Sequence, residues 1–513
     1  MSSAFPLRRD LDGLRSGRFD LLVIGGGIYG AWCAYDAALR GLRVALVERD
    51  DWGSGTSSAS SKLIHGGLRY LEHFEFGLVR HALAERKVLT RIAPHLVRPL
   101  RFVVPVWTGD RVGRLKMRAG LALYDLLAGF GQPVDRHGAH TRRALLAEFP
   151  ALRAEGLTGG LSYGDCQEDD ARMTLAVVAA AQAAGVVCAN GVSASELRRE
   201  QGRVCGAALR SREGETLPPL HAGVVINAAG PWAPGLLGTA APAVKRVKGV
   251  HLLMPAIAGC DKAFLLTAPQ DGRVYFVIPW YGKTLLGTTE SLIEDPSDLR
   301  VTEGDIRYLL EAVNHALPGL GWTPAQVLGR FVGARTLQAE EAGSLSAVSR
   351  EFEVLSPLPG LLMPLGGKYT TARVDAIEVI DAAEALLGRE PTPSSTDRHP
   401  LPGAPPAADF ERWLAQASQQ LVNLGVDAAA APTVALRQGT RTQAVAERIR
   451  EQPGQARRLH AEAPFIEAEL WLAARDEMAL TVDDLLRRRL PLDLLVPRSE
   501  ALAAVAAAAL AAV

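Results

Sequence analysis

Short apolar runs that open into glycine-rich turns set the pattern of this chain. Asp20 to Ile24, DLLVI, is one such run and ends at GGGIYG. AWCAYDAALRGL follows with helical spacing, and VALVE, ending at Glu48, is a second apolar run. Short runs without alternation are the mark of strands buried on both faces, so this unit predicts a βαβ crossover with a parallel strand pair. VVINAAGPW, Val224 to Trp232, is another buried strand opening into a glycine turn. LLMPLGGKYTTARVDAIEVI from Leu361 repeats strand, glycine loop and helix. Three such units imply one nucleotide-binding domain assembled from distant segments.

The stretches between have a different character. VYFVIPWYGKTLLGTTE, Val274 to Glu290, is rich in β-branched and aromatic residues with turn signals, which predicts an antiparallel sheet in a second, substrate-facing domain. EPTPSSTDRHPLPGAPPAAD, Glu390 to Asp409, is too rich in proline to hold a helix and reads as a linker. Alanine, leucine, arginine and glutamate dominate beyond it, predicting a helical module. The first twenty residues lack the apolar core of a signal peptide, and no run reaches the roughly 18 residues of a spanning helix. Arg111 to Phe130, RVGRLKMRAGLALYDLLAGF, sets four basic residues at 111, 114, 116 and 118 before an apolar helical stretch. That composition suits a helix lying on anionic lipid, and equally an amphipathic helix seated on the protein's own core.

Bulk composition narrows the function. The 513 residues carry 56 basic and 56 acidic side chains, whereas a dedicated nucleic-acid binder would show a clustered basic excess. The five cysteines contain no CxxC pair, so neither a metal site nor a disulfide framework is expected, and a reducing compartment is the simplest setting. Gly25, Gly27 and Gly30 form G-x-G-x-x-G between strand and helix, and Glu48 ends the next strand. The glycines let backbone approach a pyrophosphate at a helix N-terminus, and the carboxylate accepts ribose hydroxyls. Glutamate there argues against a 2′-phosphate. The further turns at Gly230 and at Gly366, Gly367, Lys368 and Thr370 favour FAD over NAD. Thr56 to Glu72, TSSASSKLIHGGLRYLE, reads as a loop that wraps an anionic, planar ligand.

GGGIYGAWCAYDAALRGLRVALVE, SSASSKLIHGGLRYLEHFEFGLVRHALAERKVL, YGDCQEDDARM, NAAGPW, KGVHLLMP, VIPW, GTTE and GGKYTT together resemble the FAD-dependent glycerol-3-phosphate dehydrogenase family of the aerobic, respiratory type. The resemblance runs from about residue 19 to 385. AELWLAARDEMALTVDDLLRRR in the tail resembles that family's C-terminal domain. It implies an α/β fold with an added α module: a Rossmann-like FAD-binding domain, an interleaved antiparallel-sheet substrate domain of the D-amino-acid-oxidase type, and a C-terminal helical domain. The divisions expected are an extension at 1–18, the composite domains at 19–395 with the substrate part mainly at 95–145 and 240–355, the linker at 396–409, and the helical domain at 410–513.

The resemblance further implies oxidation of sn-glycerol 3-phosphate to dihydroxyacetone phosphate, with electrons passed through FAD to membrane quinone. The setting implied is the inner face of the cytoplasmic membrane, with a homodimer as a further expectation and no nucleic-acid partner. Arg69, Tyr70, Arg335 and Lys368 are expected to line the substrate pocket. His251, Arg335 and Lys368 are the catalytic candidates, with His65 competing as the base. Gly25, Gly27, Gly30, Glu48, Ser57, Ser58, Ser60, Ser61, Lys62, His65, Gly230, Gly366, Gly367, Lys368 and Thr370 are expected on the cofactor. Oxygen as acceptor and an amine or amino-acid oxidase remain alternatives, since one flavin fold serves several chemistries. A non-catalytic flavoprotein is a third class, disfavoured because the base and cation positions are present.

Three departures from the family pattern stand out. GARTL, Gly333 to Leu337, replaces GVRPL, and losing the proline is expected to loosen a turn that aims Arg335. An acidic cluster after it is altered to QAEEAG. GTTE replaces GTTD, and the extra methylene moves the Glu290 carboxylate by more than about 1 Å.

Overall fold

The computed structural model describes residues 5–338 and 352–513; the altered QAEEAG segment lies, from 339 onward, outside the described residues. The strands that position the site are β1 (Arg18–Ile24), β2 (Val44–Val47), β3 (Val97–Trp107), β4 (Leu157–Glu168), β5 (Val187–Ala189), β6 (Leu220–Asn227), β7 (Val244–Met254), β8 (Val274–Trp280), β9 (Lys283–Gly287), β10 (Gly329–Gln338) and β11 (Leu361–Leu365). The helices that matter are α1 (Ile28–Leu39), α2 (Phe76–Ile92), α3 (Arg114–Ala128), α4 (Asp170–Ala183) and α5 (Ala372–Leu386).

An eight-stranded sheet runs β11-β6-β1-β2-β5 through parallel neighbours, with Glu353–Leu358 on one edge and the hairpin Val192–Glu200/Arg203–Ser211 added beside β6. The four residues of β2 are all buried, as an uninterrupted apolar run requires once α1, α4 and α5 cover the sheet. Glycine is obligatory at two points of the first turn. Gly25 has φ 108°, and a Cβ on Gly30 would sit 1.9 Å from the Gly25 carbonyl oxygen, so only glycine lets α1 start against β1.

A second, ten-stranded sheet carries β7, β9, β8, Ala263–Thr267, β3 and β4 in that order, with β10 paired along β7. It is antiparallel except where Ala263–Thr267 runs parallel to β3. It also recruits β4 and Leu63–Ile64, which lie outside the two segments expected for the substrate part. Residues read as separate domains along the chain therefore share one sheet.

The C-terminal part is more than a helical appendage. Between its helices lies a hairpin, Arg458–His460 with Ala463–Ile466. Phe465, Leu485, Leu490 and Leu494 join Leu253, Trp280 and Phe331 of the second sheet in one apolar core. The proline-rich segment is docked rather than loose: Thr396 and Leu401 are buried, and the Leu401 N–H donates to Ile92 O at 2.8 Å. The N-terminal extension is likewise held, with the Leu7 N–H on Asp476 O at 2.8 Å.

The basic, apolar helix α3 uses both of its faces. Leu121 and Tyr124 are buried against the second sheet, while Leu115, Leu126 and Phe130 beside it are 83%, 75% and 86% exposed. Its anchor is Tyr124, whose hydroxyl donates to Asp165 at 2.9 Å and accepts the Gly66 N–H at 2.8 Å. Arg86 Nη1 completes the node at 2.5 Å from the same carboxylate.

Asp165→Ala would strand the buried Arg86 charge, a change that costs about 3–5 kcal/mol, whereas Tyr124→Phe removes a neutral partner worth roughly 1 kcal/mol. Thermal unfolding should give a clearly lower midpoint for Asp165→Ala than for Tyr124→Phe. Equal midpoints would show that Asp165 does not hold this node together.

Candidate active site

The glycine turns meet at one cavity of about 1040 Å³ between the two sheets, lined by Gly25, Gly27, Gly230, Gly366 and Gly367. Gly366 and Gly367 are both left-handed, with φ 74° and 72°, and a Cβ on Gly367 would collide with the Tyr29 hydroxyl at 1.8 Å. At the start of α1 the Ile28 N–H donates to Ser57 Oγ at 2.9 Å, so a hydroxyl stands at the positive end of the helix. Glu48 accepts the Gly26 N–H at 2.7 Å and the Asp50 N–H at 2.8 Å. Burial pushes its pKa up to about 7 even so.

The serine loop is built around Lys62, and here the expected role is corrected. Lys62 does not line the cavity. Its Nζ is buried 2.6 and 2.7 Å from the two oxygens of Asp170 and 2.7 Å from Ser58 O, and it lies 4.8 Å over the Phe331 ring. A lysine charge is kept in such surroundings only by pairing, and Asp170 at the head of α4 supplies the pair. Ser58 contributes its carbonyl to this hold and is also absent from the cavity wall, while Gly30 serves helix packing. Ser60 lines the cavity but spends its hydroxyl on Asp170 at 2.8 Å.

The catalytic candidates converge. His251, Arg335, Lys368, Tyr70, His65, Ser61 and Thr370 all line the cavity. His251 Nε2 lies 2.9 Å from Ser61 Oγ, and its ring stacks on Phe331 with centroids 4.9 Å apart. A Cβ on Gly287 would come within 2.2 Å of that ring, so this glycine of β9 makes room for the imidazole. Burial first, then the charges of Lys62 and Arg335, bring His251 down to about 3. Lys368 Nζ lies 3.6 Å over the Tyr70 ring. The His65 N–H donates to Thr370 Oγ1 at 3.2 Å, which ties the serine loop to the third glycine turn. The Arg69 backbone is part of the 3-10 turn Leu68–His73; its side chain lies outside the described residues.

The altered GARTL segment proves to be the interior of a strand rather than a turn. In β10, Arg335 sits opposite Val247 and Thr336 opposite Arg246, in a register of ten continuous pairs. Thr56 Oγ1 also donates to Ala334 O at 2.6 Å, clamping the strand to the serine loop. Losing the proline therefore loosens nothing, because pairing and the clamp fix the backbone. The longer Glu290 side chain reaches Arg335 Nη1 at 3.0 Å.

Residues 20–373 match the family described as FAD dependent oxidoreductase, and residues 394–513 match the C-terminal domain of alpha-glycerophosphate oxidase. Glycerol-3-phosphate dehydrogenase 2 of Mycobacterium tuberculosis is 42% identical over 395 residues, 75% of this chain and 66% of that protein. This chain belongs to the FAD-dependent glycerol-3-phosphate dehydrogenase family. The matched part spans just under two thirds of the mycobacterial protein's length, whereas glycerol-3-phosphate dehydrogenase of Synechocystis, at 33% identity, is matched over 94% of this chain and 90% of its own. A solved structure of glycerol-3-phosphate dehydrogenase from Bacillus halodurans complexed with FAD superposes with TM-score 0.77 at 30% identity, covering 96% of this chain and 90% of that one.

FAD is the cofactor of this flavoprotein family, and the residues present fit it. The start of α1 with Ser57, the carboxylate at Glu48, and glycines at every point where backbone must approach supply an anion site, a ribose acceptor and open walls. Family membership did not make every contributor visible beforehand. The Thr56 clamp and the cavity-lining Thr481, Asp483, Asp484 and Arg488 were missed. Thr56 lay inside a motif already singled out. The other four lie in the stretch AELWLAARDEMALTVDDLLRRR, which also resembles the family but whose helix-forming composition shows no role at the cofactor.

A pKa near 3 lies below the ordinary value of 6.5, so between the two the folded chain binds fewer protons at His251 than the unfolded chain, and acidification through that window destabilises it. In the FAD-loaded protein without substrate, the imidazole should stay neutral across about pH 5–8. Nitrogen-15 NMR of histidine-labelled protein checks this; a midpoint for His251 above about 6 would show that burial and the two cations do not hold it down.

Proposed function

We propose that this protein oxidises sn-glycerol 3-phosphate to dihydroxyacetone phosphate and passes the electrons to a membrane quinone. What carries the reading is the convergence, in the FAD cavity, of a buried neutral imidazole with two cations. Bound FAD supplies the hydride acceptor. His251 takes the hydroxyl proton at its Nε2, the atom that Ser61 Oγ already engages, and Ser61 fixes the ring plane. Arg335 and Lys368 hold the phosphate, the first by paired hydrogen bonds and the second as a point charge. His65 is placed at the cavity wall with its backbone N–H on Thr370, and Tyr70 lies under Lys368. The Glu290 partner keeps Arg335 from collapsing onto other acceptors, and the dianion competes for the same guanidinium.

A weakly basic histidine suits this sequence of events. Arg335 is one of the charges that depress it, so a phosphate carrying roughly −1.5 to −2 charge beside Arg335 offsets that charge and raises the basicity of His251 when substrate is in place.

The quinone and the membrane are supported by the surface beside the cavity. Leu68 and Tyr70 line the cavity and belong to the turn that ends at Phe74, which is 77% exposed and rests edge-on to Phe76. That turn packs against α3, whose exposed Leu115 and Leu126 and neighbouring Phe130 adjoin Arg111, Arg114, Lys116 and Arg118. An apolar patch bordered by cations is what an anionic lipid surface recognises, and no helix among the described residues is long and apolar enough to cross a membrane. The protein would lie on the inner face of the cytoplasmic membrane. The homodimer rests on the family resemblance alone. Oxygen as acceptor is the second reading, favoured by the match of residues 394–513 to a domain named for an oxidase.

Anaerobic protein should lose its oxidised-flavin absorbance on adding glycerol 3-phosphate and regain it with a ubiquinone analogue. Bleaching by glycine or sarcosine instead would overturn the substrate, and stoichiometric peroxide with no quinone turnover would overturn the acceptor.

Vesicles of phosphatidylglycerol should pull down the wild type and release it at about 1 M salt, where charges are screened beyond ~3 Å. Leu126→Glu with Phe130→Glu should weaken that binding at least tenfold while activity with a soluble dye acceptor is retained. Undiminished binding by the double variant would place the membrane contact elsewhere.

A further inference from the structure

The C-terminal module supplies four side chains to the wall of the FAD cavity, Thr481, Asp483, Asp484 and Arg488, and nothing in the reaction described above uses them. Their position identifies the end of the cofactor they meet. In the first sheet β6 and β11 lie on one side of β1, and β2 and β5 lie on the other. The catalytic candidates occupy the first side: Lys368 follows β11, and His251 and Arg335 stand on the second sheet. With the pyrophosphate at the start of α1 and the reactive ring near His251, the remaining adenosine half would extend over β2 and β5. The cavity wall there consists of Glu48, Arg49, Asp50, Val192, Ser193, Ala194 and Arg212, joined by the four C-terminal residues.

The C-terminal segment is held at that end by a buried charge node. Asp51, next to the ribose-side residues, accepts Arg489 Nη1 at 2.7 Å and Nη2 at 2.8 Å, and Arg488 Nε at 2.5 Å. Arg489 also donates to Glu477 O at 2.7 Å, and Asn190 bridges the two parts by donating to Met478 O at 2.8 Å. Asp484 folds the turn by accepting the Leu480 and Thr481 N–H groups at 2.8 and 2.9 Å, and it receives Arg488 Nη2 on its other oxygen. Leu480 packs so closely on Gly191 that a Cβ there would come within 3.0 Å of it. Asp51 and Arg489 are fully buried, and burial alone would raise the carboxyl; the two arginines reverse the sign and lower it.

We propose that the segment from Met478 to Arg489 is the adenosine clamp of the FAD site, with Arg488 its contact residue, so that cofactor binding and docking of the C-terminal module stabilise each other. Two of the guanidinium nitrogens of Arg488 are spent on Asp51 and Asp484, which fixes its plane at the cavity wall. A planar cation fixed in this way can stack on a purine or donate to its ring nitrogens, while Thr481 and Asp483 offer acceptors to ribose and amino groups. Asp51, which places Arg488, also seats the module through Arg489, while Asp484 folds the turn that presents Arg488. Whatever orders the adenosine end therefore orders the module, and by linkage the reverse holds equally. This gives the C-terminal module a task that helix-forming composition does not reveal: it closes a cofactor site whose other walls come from residues 24–370.

Arg488→Ala should release FAD at least tenfold faster from the holoenzyme, followed as recovery of flavin fluorescence on dilution, with far-UV circular dichroism unchanged. Arg488→Lys, which keeps the charge toward Asp51 but loses the planar fork, should also release FAD faster than wild type and guards against misfolding of the alanine variant. In wild-type protein, amides of 480–489 should exchange with deuterium more slowly with FAD bound than after FAD is stripped. ADP added to stripped wild type should restore part of that protection, since it carries the adenosine half alone. FAD release by both variants within twofold of wild type would overturn the contact, and exchange at 480–489 that is insensitive to FAD and to ADP would overturn the coupling.

Discussion

The active cavity depends on one buried ion pair, Lys62 with Asp170. Lys62 sits in the left-handed region at φ 59°, where a lysine is strained, and its ammonium is enclosed with no solvent to stabilise it. Asp170 repays that cost, and the same carboxylate takes the Ser60 hydroxyl and N–H. The loop is thereby tied down between its ends. On one side Ser57 is fixed against the start of α1 and Thr56 against β10; on the other Ser61 meets His251 and His65 meets Thr370. Removal of either partner leaves a buried charge unpaired, a loss of about 3–5 kcal/mol in other proteins, and here it would loosen both the cofactor wall and the base together.

Asp170 is one of several acids at the end of β4 that act in the same manner. Asp165 joins Arg86, Tyr124 of α3 and the Gly66 backbone. Asp169 receives the Tyr281 hydroxyl at 2.6 Å and pairs with Arg437 of the C-terminal module. Within six residues of sequence, the chain ties the exposed helix, the serine loop and the C-terminal module to a single strand end. Arg437 in turn lies buried against Phe465, and Arg172 of α4 is paired with Glu477 at 2.6 Å. Such pairs gain little over apolar packing in net stability, but each accepts only one geometry, and that suits a site assembled from segments more than 400 residues apart.

This arrangement accounts for what could be read from the sequence and what could not. The glycine turns and Glu48 were legible because their chemistry is local: a strand, a left-handed or crowded position, and a helix start follow one another within a few residues. The convergence of His251, Arg335 and Lys368 on one cavity followed from family motifs rather than from periodicity. Lys62 was misread because a lysine among serines looks the same whether it faces a ligand or a carboxylate, and its partner lies 108 residues away. The GARTL segment was misread as a turn because a glycine and a missing proline suggest one; the pairing partner that makes it a strand, β7, leaves no trace in those five residues. The role of the tail residues at the cavity was invisible for a like reason, since a run of three arginines in a helix-forming stretch is ordinarily a solvated face.

Electrostatics link the two halves of the proposed reaction. The cavity wall carries Arg335 and Lys368, and Lys62 lies just behind it, yet the proposed base, His251, is an imidazole that burial with Lys62 and Arg335 keeps neutral. In the proposed reaction, a neutral base in a cationic site favours an anionic substrate. An uncharged alcohol would leave the depressing field of Arg335 intact and find a poor proton acceptor, whereas a phosphate ester brings the countercharge that lifts it. Selectivity for the phosphorylated alcohol would then arise in the proton transfer itself as well as in binding, and the strand register that fixes Arg335 opposite Val247, four residues from His251, sets the distance over which that effect acts. The Glu290 side chain tempers the same field from the other side of the guanidinium, at 3.0 Å. Its extra methylene relative to aspartate thus sets how the carboxylate reaches the guanidinium that depresses His251, and through that guanidinium a change at position 290 would be felt at the proposed base.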